Sequence, residues 1–388
     1  MLRSSEFFAI SIISSGIIGA GMFSLPFVFS KIGLILGFFL IVFLTIVMAI
    51  VHFLYGELLH INKESGFLNI IEKYLGKKYK ILGGVAVIIN MLLVLTIYLI
   101  FYKSFSSIFI TSAVEDYIVL FLWFISSLII LLKINSIAHL ESFFILMIII
   151  VVSLLFFGSV YKFGLNANYI SLVMNNDITF ISAILLGLGP ILFSLGGRAS
   201  VESLVNYGRS IKLSLFSIKR TIIIGTSIPS FIYLLFVIAI SQFSLGYPSE
   251  DSIYGLRNLS LIVNLISIIG ILAVISTYVL IAISLEKILR RDLNFRSFYS
   301  NFIVIFAPLI IYILIKPSFL SLISATGGIF VSLEALLILR MSFLVNKKTN
   351  TKNKALLNNL KLNYFLSSFF LIVLVYTIVL VLPWKLIT

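Results

Sequence analysis

Eleven apolar runs of membrane-spanning length follow one another along this chain, at 7–30, 33–56, 81–102, 117–133, 141–161, 179–197, 220–243, 259–286, 298–315, 318–339 and 363–386. A bilayer core about 30 Å thick takes roughly 20 apolar residues as helix. The pattern therefore predicts an all-α integral membrane protein with 11 transmembrane helices. Composition agrees: 61% of the 388 residues are hydrophobic and 11% are charged, where soluble domains carry about 25% charge. The run 117–133 is short, and 259–286 is long enough to cross with tilt. The stretches 57–80, 198–219 and 340–362 read as loops, too short for a soluble domain. The first run exceeds a signal peptide's apolar region and lacks a small-residue cleavage site, so it is expected to be a retained span.

Charge sets the expected orientation. The formal net charge is +14, and 22 of the 28 basic residues fall in one alternating set of loops. The other set holds only Lys31, Lys103, Lys162, Arg257, Lys316 and Lys385. Lysine and arginine accumulate on the cytoplasmic side of membrane proteins. The expectation is a multi-pass protein of the cytoplasmic membrane, N-terminus inside and C-terminus outside. Its basic loops meet anionic lipid rather than nucleic acid, and no obligate protein partner is evident.

Several function classes fall away. Cysteine is absent, and histidine occurs only as His52, His60 and His139, which excludes thiolate chemistry and speaks against a multi-histidine metal enzyme. No Gly-rich phosphate loop is present, so ATP is not the driver within this chain. Glu57, Glu141, Glu202, Glu286 and Glu334 sit toward the basic ends of their segments and read as interfacial carboxylates, Glu334 the deepest. A membrane-embedded transferase would need a catalytic acid, base or metal constellation, and a channel would need a repeated filter. Neither pattern is visible.

Two segments are interrupted. The first carries SGIIGAGMFSLP (15–26), with Gly16, Gly19, Gly21 and Pro26, and the sixth carries GLGPILFSLGGRAS (187–200), with Pro190, Gly196 and Gly197. A glycine cluster by itself is served as well by close helix packing. Two clusters with proline, five segments apart, point instead to unwound helices at corresponding positions of two halves, which marks a transporter binding site. Parity makes the halves inverted. A five-helix unit that starts inside ends outside, so the next starts outside. The expected units are 1–162, 163–341 and an accessory 342–388 with the eleventh helix. Unwound backbone needs polar company in lipid. The N-terminal end of a half-helix suits a carboxylate, and carbonyls at a C-terminal end suit an ammonium group or a cation. An amino acid has both charges.

The stretch Gly16-Ile-Ile-Gly-Ala-Gly-Met-Phe-Ser-Leu-Pro26 resembles the first-helix signature of amino acid permeases of the amino acid–polyamine–organocation superfamily, in the amino acid/auxin or aromatic amino acid permease branches. Pro190-Ile-Leu-Phe-Ser-Leu-Gly-Gly-Arg198 and Ile275–Lys287 resemble that family's sixth and eighth helices. The resemblance implies the leucine-transporter fold, a 5+5 inverted repeat with discontinuous helices 1 and 6. It implies a secondary active amino acid transporter working by alternating access on a Na⁺ or H⁺ gradient, with no cofactor beyond a coupling ion. Another small organic solute, a nucleobase or an organic cation, is the alternative on the same fold. By the same resemblance, the substrate carboxylate meets the amides of Gly19, Ala20, Gly21 and Met22. Its amino group faces carbonyls of Ile17, Ile18, Phe193 and Ser194. Ser24 and Ser194 lie nearest the polar end, and Phe193 forms a lid. A Na⁺ would take carbonyls of Ser15 and Ile18 with the hydroxyls of Ser276 and Thr277, which could equally bond their own helix. Some proton-coupled relatives use a helix-5 lysine, but Lys162 lies at the outer end of its segment, leaving Glu57 or Glu202 for another proton route. The aromatic permeases carry a histidine just after the sixth-helix glycine, where this chain reads Gly196-Gly197-Arg198.

Overall fold

A computed structural model describes residues 4–62, 66–108, 114–131, 137–166, 168–174, 178–252, 260–316, 318–349 and 360–380. Among them all regular structure is helical. The first apolar run is divided: α1 (Ser4–Ile17) ends at Ile18–Gly19, a tight turn spans Ala20–Ser24, and α2 (Leu25–Ile32) continues. The two parts are bent by 50°. Then come α3 (Leu34–Ile61), a short α4 (Phe67–Leu75), α5 (Lys77–Ser106), α6 (Glu115–Leu131) and α7 (Ile137–Phe163). The second half runs through α8 (Phe180–Ser194), α9 (Arg198–Ser210), α10 (Leu215–Phe243), α11 (Ser260–Lys287) and α12 (Ser297–Ile315). It ends with α13 (Phe319–Ala325), a wide turn at Thr326–Val331, α14 (Ser332–Thr349) and α15 (Leu360–Leu380).

Among the described residues 8 helices are long and apolar enough to cross a membrane, or 9 with the bent α1–α2 pair. The expected 11 are reached only by adding α6, whose 17 residues are short for a span, and α11, which lies where the long run 259–286 predicted a helix.

Two of the expected loops are largely helical. The stretch 198–219 begins with α9, so the sixth segment resumes after its break instead of ending there. A hydropathy scan misses α9 because one face is polar, while Val201, Leu204 and Val205 are buried where the helix packs on α1 and α3. The stretch 57–80 contains the end of α3 and all of α4, whose Phe67, Leu68, Ile70 and Ile71 are buried while Glu72 and Lys73 face outward. Pro190 does not break its helix either. It lies inside α8, and the break falls at Leu195–Gly197.

The broken segments occupy the middle of the bundle. α1 packs on α7, α9 and α10, while α8 packs on α2, α3 and the Thr326–Val331 turn. Outward-facing Phe39, Leu154, Phe231 and Leu314 are exposed, as lipid-facing side chains are. The approach of α8 to the Thr326–Val331 turn requires glycine: a Cβ on Gly327 would come 2.7 Å from the Phe193 backbone nitrogen and 2.9 Å from the Gly189 carbonyl carbon. Backbone on both sides leaves nothing flexible to yield. Gly327→Ala is therefore expected to cost about 1–3 kcal/mol, read as a lowered melting temperature of the detergent-solubilised protein. Gly158→Ala, where a Cβ would meet only Phe243 Cζ at 3.9 Å, should leave it unchanged.

A candidate substrate cavity between two broken helices

Three helix starts are closed by hydroxyl side chains, while those after Gly33, Gly66, Gly76 and Arg296 have no side-chain cap. Thr179, Ser214 and Ser318 accept from the backbone N–H three residues on, satisfying one of the unpaired donors of a first turn. The two starts inside the breaks belong to the uncapped group. Gly19 precedes the Ala20–Ser24 turn and Gly197 precedes α9, and neither has a side chain to cap with. Both bare starts line one cavity of about 120 Å³, through Gly19, Ala20 and Gly21 on one side and Arg198, Ala199 and Ser200 on the other. Two positive helix ends thus meet the same space.

The carbonyl ends are held elsewhere. Tyr233, buried on α10, places its hydroxyl 2.9 Å from the Ile17 carbonyl oxygen and 2.8 Å from that of Ser194. Those residues end α1 and α8, so one phenol spans the C-terminal ends of both half-helices. The breaks also touch directly: a Cβ on Gly21 would lie 2.6 Å from Ser194 Cα. The bareness of Gly21 serves this close approach.

The expected site residues divide between two compartments. Ile17, Gly19, Ala20, Gly21 and Phe193 line the larger cavity. Ile18, Gly19, Ala20, Met22 and Thr277 line a smaller one of about 50 Å³, whose wall also includes Ile148, Val151, Val152 and Leu155. Ser24 Oγ donates to the Gly21 carbonyl at 2.8 Å, and Ser194 Oγ to that of Pro190 at 2.8 Å. Both hydroxyls therefore serve their own turns. Ser15 Oγ donates to Ile12 O at 3.1 Å, and the Ser276 side chain lies outside the described residues. Tyr98 borders both compartments. Its hydroxyl is hydrogen-bonded to the Ala20 backbone and to the Thr277 side chain, joining the first break to α11.

The two ends of the site differ in chemistry. Away from the basic loops, Phe23 stacks on Phe101, Phe105 and Phe236 with centroids 5.0, 5.4 and 5.4 Å away, and Phe101 meets Phe319 at 4.8 Å. Toward the basic loops lies a buried ion pair, Arg198 Nε to Glu334 Oε2 at 3.0 Å. Asn90 Nδ2 donates to Glu334 Oε1 at 3.4 Å, and the Arg198 guanidinium sits 4.7 Å from the Phe67 ring centroid. Glu202 pairs with Arg291 at 3.4 Å, Glu286 with Arg290 at 2.9 Å, and Glu57 with Lys219. Four of the five carboxylates read as interfacial thus have a basic partner, Glu334 doing so on the cavity wall, while the Glu141 side chain lies outside the described residues. Beyond the helix end, burial pushes the Asp292 carboxyl above its ordinary range, opposed by the Arg291 charge.

Tyr233, Tyr98, His52 and Asn90 shape this site without having been singled out from the sequence. The available signal was a polar group deep in an apolar run, where such groups are costly. Among the described residues no group of three or more His, Cys, Asp or Glu could hold a metal ion.

Apolar helices wrapped around two interrupted segments, whose bare N-terminal ends share a cavity, define a membrane transporter of the leucine-transporter fold. The similarity to solved transporters agrees. MhsT in complex with L-phenylalanine superposes with a TM-score of 0.68 at 13% identity, over 95% of this chain and 97% of MhsT. The Eremococcus coleocola manganese transporter, in complex with an aromatic bis-isothiourea substituted compound, gives 0.61 at 12% identity, over 97% of this chain and 94% of its own. At these identities the likeness concerns the fold. No curated protein sequence matches the chain. The chain belongs to the tryptophan/tyrosine permease family, whose model matches residues 3–382. It is a permease, not an enzyme.

Tyr233→Phe is expected to strand the carbonyls of Ile17 and Ser194 in the membrane interior. Losing the shared donor should cost about 1–3 kcal/mol, seen as a lower melting temperature with the helical circular dichroism of the folded protein unchanged at 20 °C.

Proposed function

We propose that this permease carries aromatic amino acids across the cytoplasmic membrane by alternating access around the cavity between its two broken helices, driven by a Na⁺ or H⁺ gradient. The observation that carries this reading is that two uncapped helix N-termini line one cavity while the matching carbonyl ends are tied to Tyr233. A carboxylate is the group that such a cavity favours. Family membership supports an aromatic side chain, and the neighbouring MhsT was solved with L-phenylalanine bound.

In this reading the carboxylate is held by the amides of Gly19, Ala20, Gly21 and Met22. The amino group uses the second lone pairs of the Ile17, Ile18, Phe193 and Ser194 carbonyls, and Phe193 covers the substrate. The aromatic cluster around Phe23 closes the outer side, and the Arg198–Glu334 pair faces the cytoplasmic side with the basic loops. The inverted units run over 1–162 and 163–341, followed by 342–388, with the N-terminus inside and the C-terminus outside. Uptake of labelled tryptophan, tyrosine and phenylalanine into proteoliposomes under imposed Na⁺ or pH gradients tests the reading. Accumulation of at least one under one gradient is expected, and no uptake under either by folded protein refutes it.

The coupling ion is assigned to the space between the first break and α11. Ile18 and Thr277 face the same small compartment, where a Na⁺ would displace the Tyr98 hydroxyl from Thr277. A sodium site there predicts that Thr277→Ala abolishes Na⁺ dependence of uptake. Unchanged Na⁺ stimulation in this variant would remove Thr277 from the ion's ligands.

A further inference from the structure

The wall of the larger cavity is mostly apolar, with Met48, Val51, Met91, Val94 and Ile281 among its side chains. Its charged groups are mutually engaged: Arg198 pairs with Glu334, and Asn90 Nδ2 also donates to Glu334. One ring stands out. His52, on α3, is 2% exposed and lines this cavity. Its Nδ1 lies 3.1 Å from Thr226 Oγ1, which fixes the ring's orientation. Its Nε2 is buried without a hydrogen-bond partner. Burying a polar atom unpaired costs about 1–3 kcal/mol, so such an atom on a binding cavity is most simply explained by a partner that arrives with the ligand. The second break packs closely against the ring: a Cβ on Gly197 would come 3.2 Å from His52 Cε1, the carbon between the two ring nitrogens.

We propose that His52 reads the side chain of the substrate, its Nε2 accepting a hydrogen bond from the polar ring hydrogen of an aromatic amino acid, the phenolic O–H of tyrosine or the indole N–H of tryptophan. The inference rests on the aromatic amino acid reading above and adds the residue that discriminates among such substrates. A neutral imidazole has one donor and one acceptor nitrogen. In the tautomer whose Nδ1–H donates to Thr226, Nε2 keeps its lone pair as an acceptor. Phenylalanine has no hydrogen to offer there. Binding it leaves Nε2 desolvated and unpaired, and that penalty is the source of the selectivity.

Competition binding of L-tyrosine, L-tryptophan and L-phenylalanine to the full-length protein in nanodiscs tests this. Wild type should bind tyrosine and tryptophan about 10–100-fold more tightly than phenylalanine. His52→Asn keeps a polar group near the Nδ1 position, facing Thr226, but does not reach the Nε2 position. It should erase most of that preference by weakening tyrosine and tryptophan and leaving phenylalanine within about threefold. His52→Gln, whose amide reaches the Nε2 position, should restore much of it. Gly158→Ala, outside this cavity, should leave the preference intact. An equal loss for all three ligands in His52→Asn or an unchanged preference in that variant would each overturn the role of His52. Wild type that binds none of the three refutes the aromatic substrate and the His52 role together, whereas wild type that binds all three equally refutes only the latter.

Discussion

A helix that stops inside a membrane exposes backbone groups that lipid cannot satisfy, and this protein does so twice. The Tyr233 hydroxyl answers half of the problem by lying against the last carbonyls of α1 and α8 together. Because one side chain serves both ends, the two breaks are fixed relative to each other as well as to α10. On the far side of each break lie the first N–H groups of the next segment, of which Met22 N–H turns back to the Gly19 carbonyl and the Ala20 backbone meets Tyr98. They line a cavity, which is where irregular backbone is tolerated at membrane depth.

Close packing enforces the same arrangement. The first break meets the second where Gly21 faces Ser194, and α8 meets the Thr326–Val331 turn where Gly327 faces the backbone of Gly189 and Phe193. At each point two main chains touch, so the glycines are set by neighbouring backbone rather than by a ligand. The cavity between the breaks joins main chain brought close by bare residues to side chains from the flanking helices: Tyr98 from α5, Phe193 from α8, His52 from α3.

The ends of the site are closed by unlike forces. An aromatic cluster around Phe23 buries apolar surface on one side, and such contacts repack with little directional cost. On the other side Arg198 and Glu334 are bonded within a mostly apolar surround. Separating a buried pair leaves desolvated charges, a cost of about 3–5 kcal/mol when one partner is removed. Any opening toward the basic loops would have to rehydrate the two charges or give them new partners. Amino and carboxylate groups on a substrate are of the kind that could stand in for them.

Much of the architecture was legible because hydropathy is a one-dimensional property. Runs of apolar residues reported the helices, lysine and arginine spacing reported an expected alternation, and two Gly/Pro clusters reported the breaks to within a few residues. Membership in a permease family was legible for the same reason, in the motif 16–26. The amphipathic helix α9 was not, since its buried face is set by what packs on it and its composition resembles a loop. Nor was the partition of site residues. Ser24 and Ser194 were equally able to face a ligand or their own backbone, and only the folded turns decided for the backbone. The joining of Ile17 to Ser194 by Tyr233, the pairing of Arg198 with Glu334 and the contact of His52 with Thr226 connect residues 39 to 216 positions apart in the chain. Sequence determined that the helices break and roughly where. Which backbone groups stay open at the breaks was decided by tertiary structure, because it depends on which neighbour reaches them first.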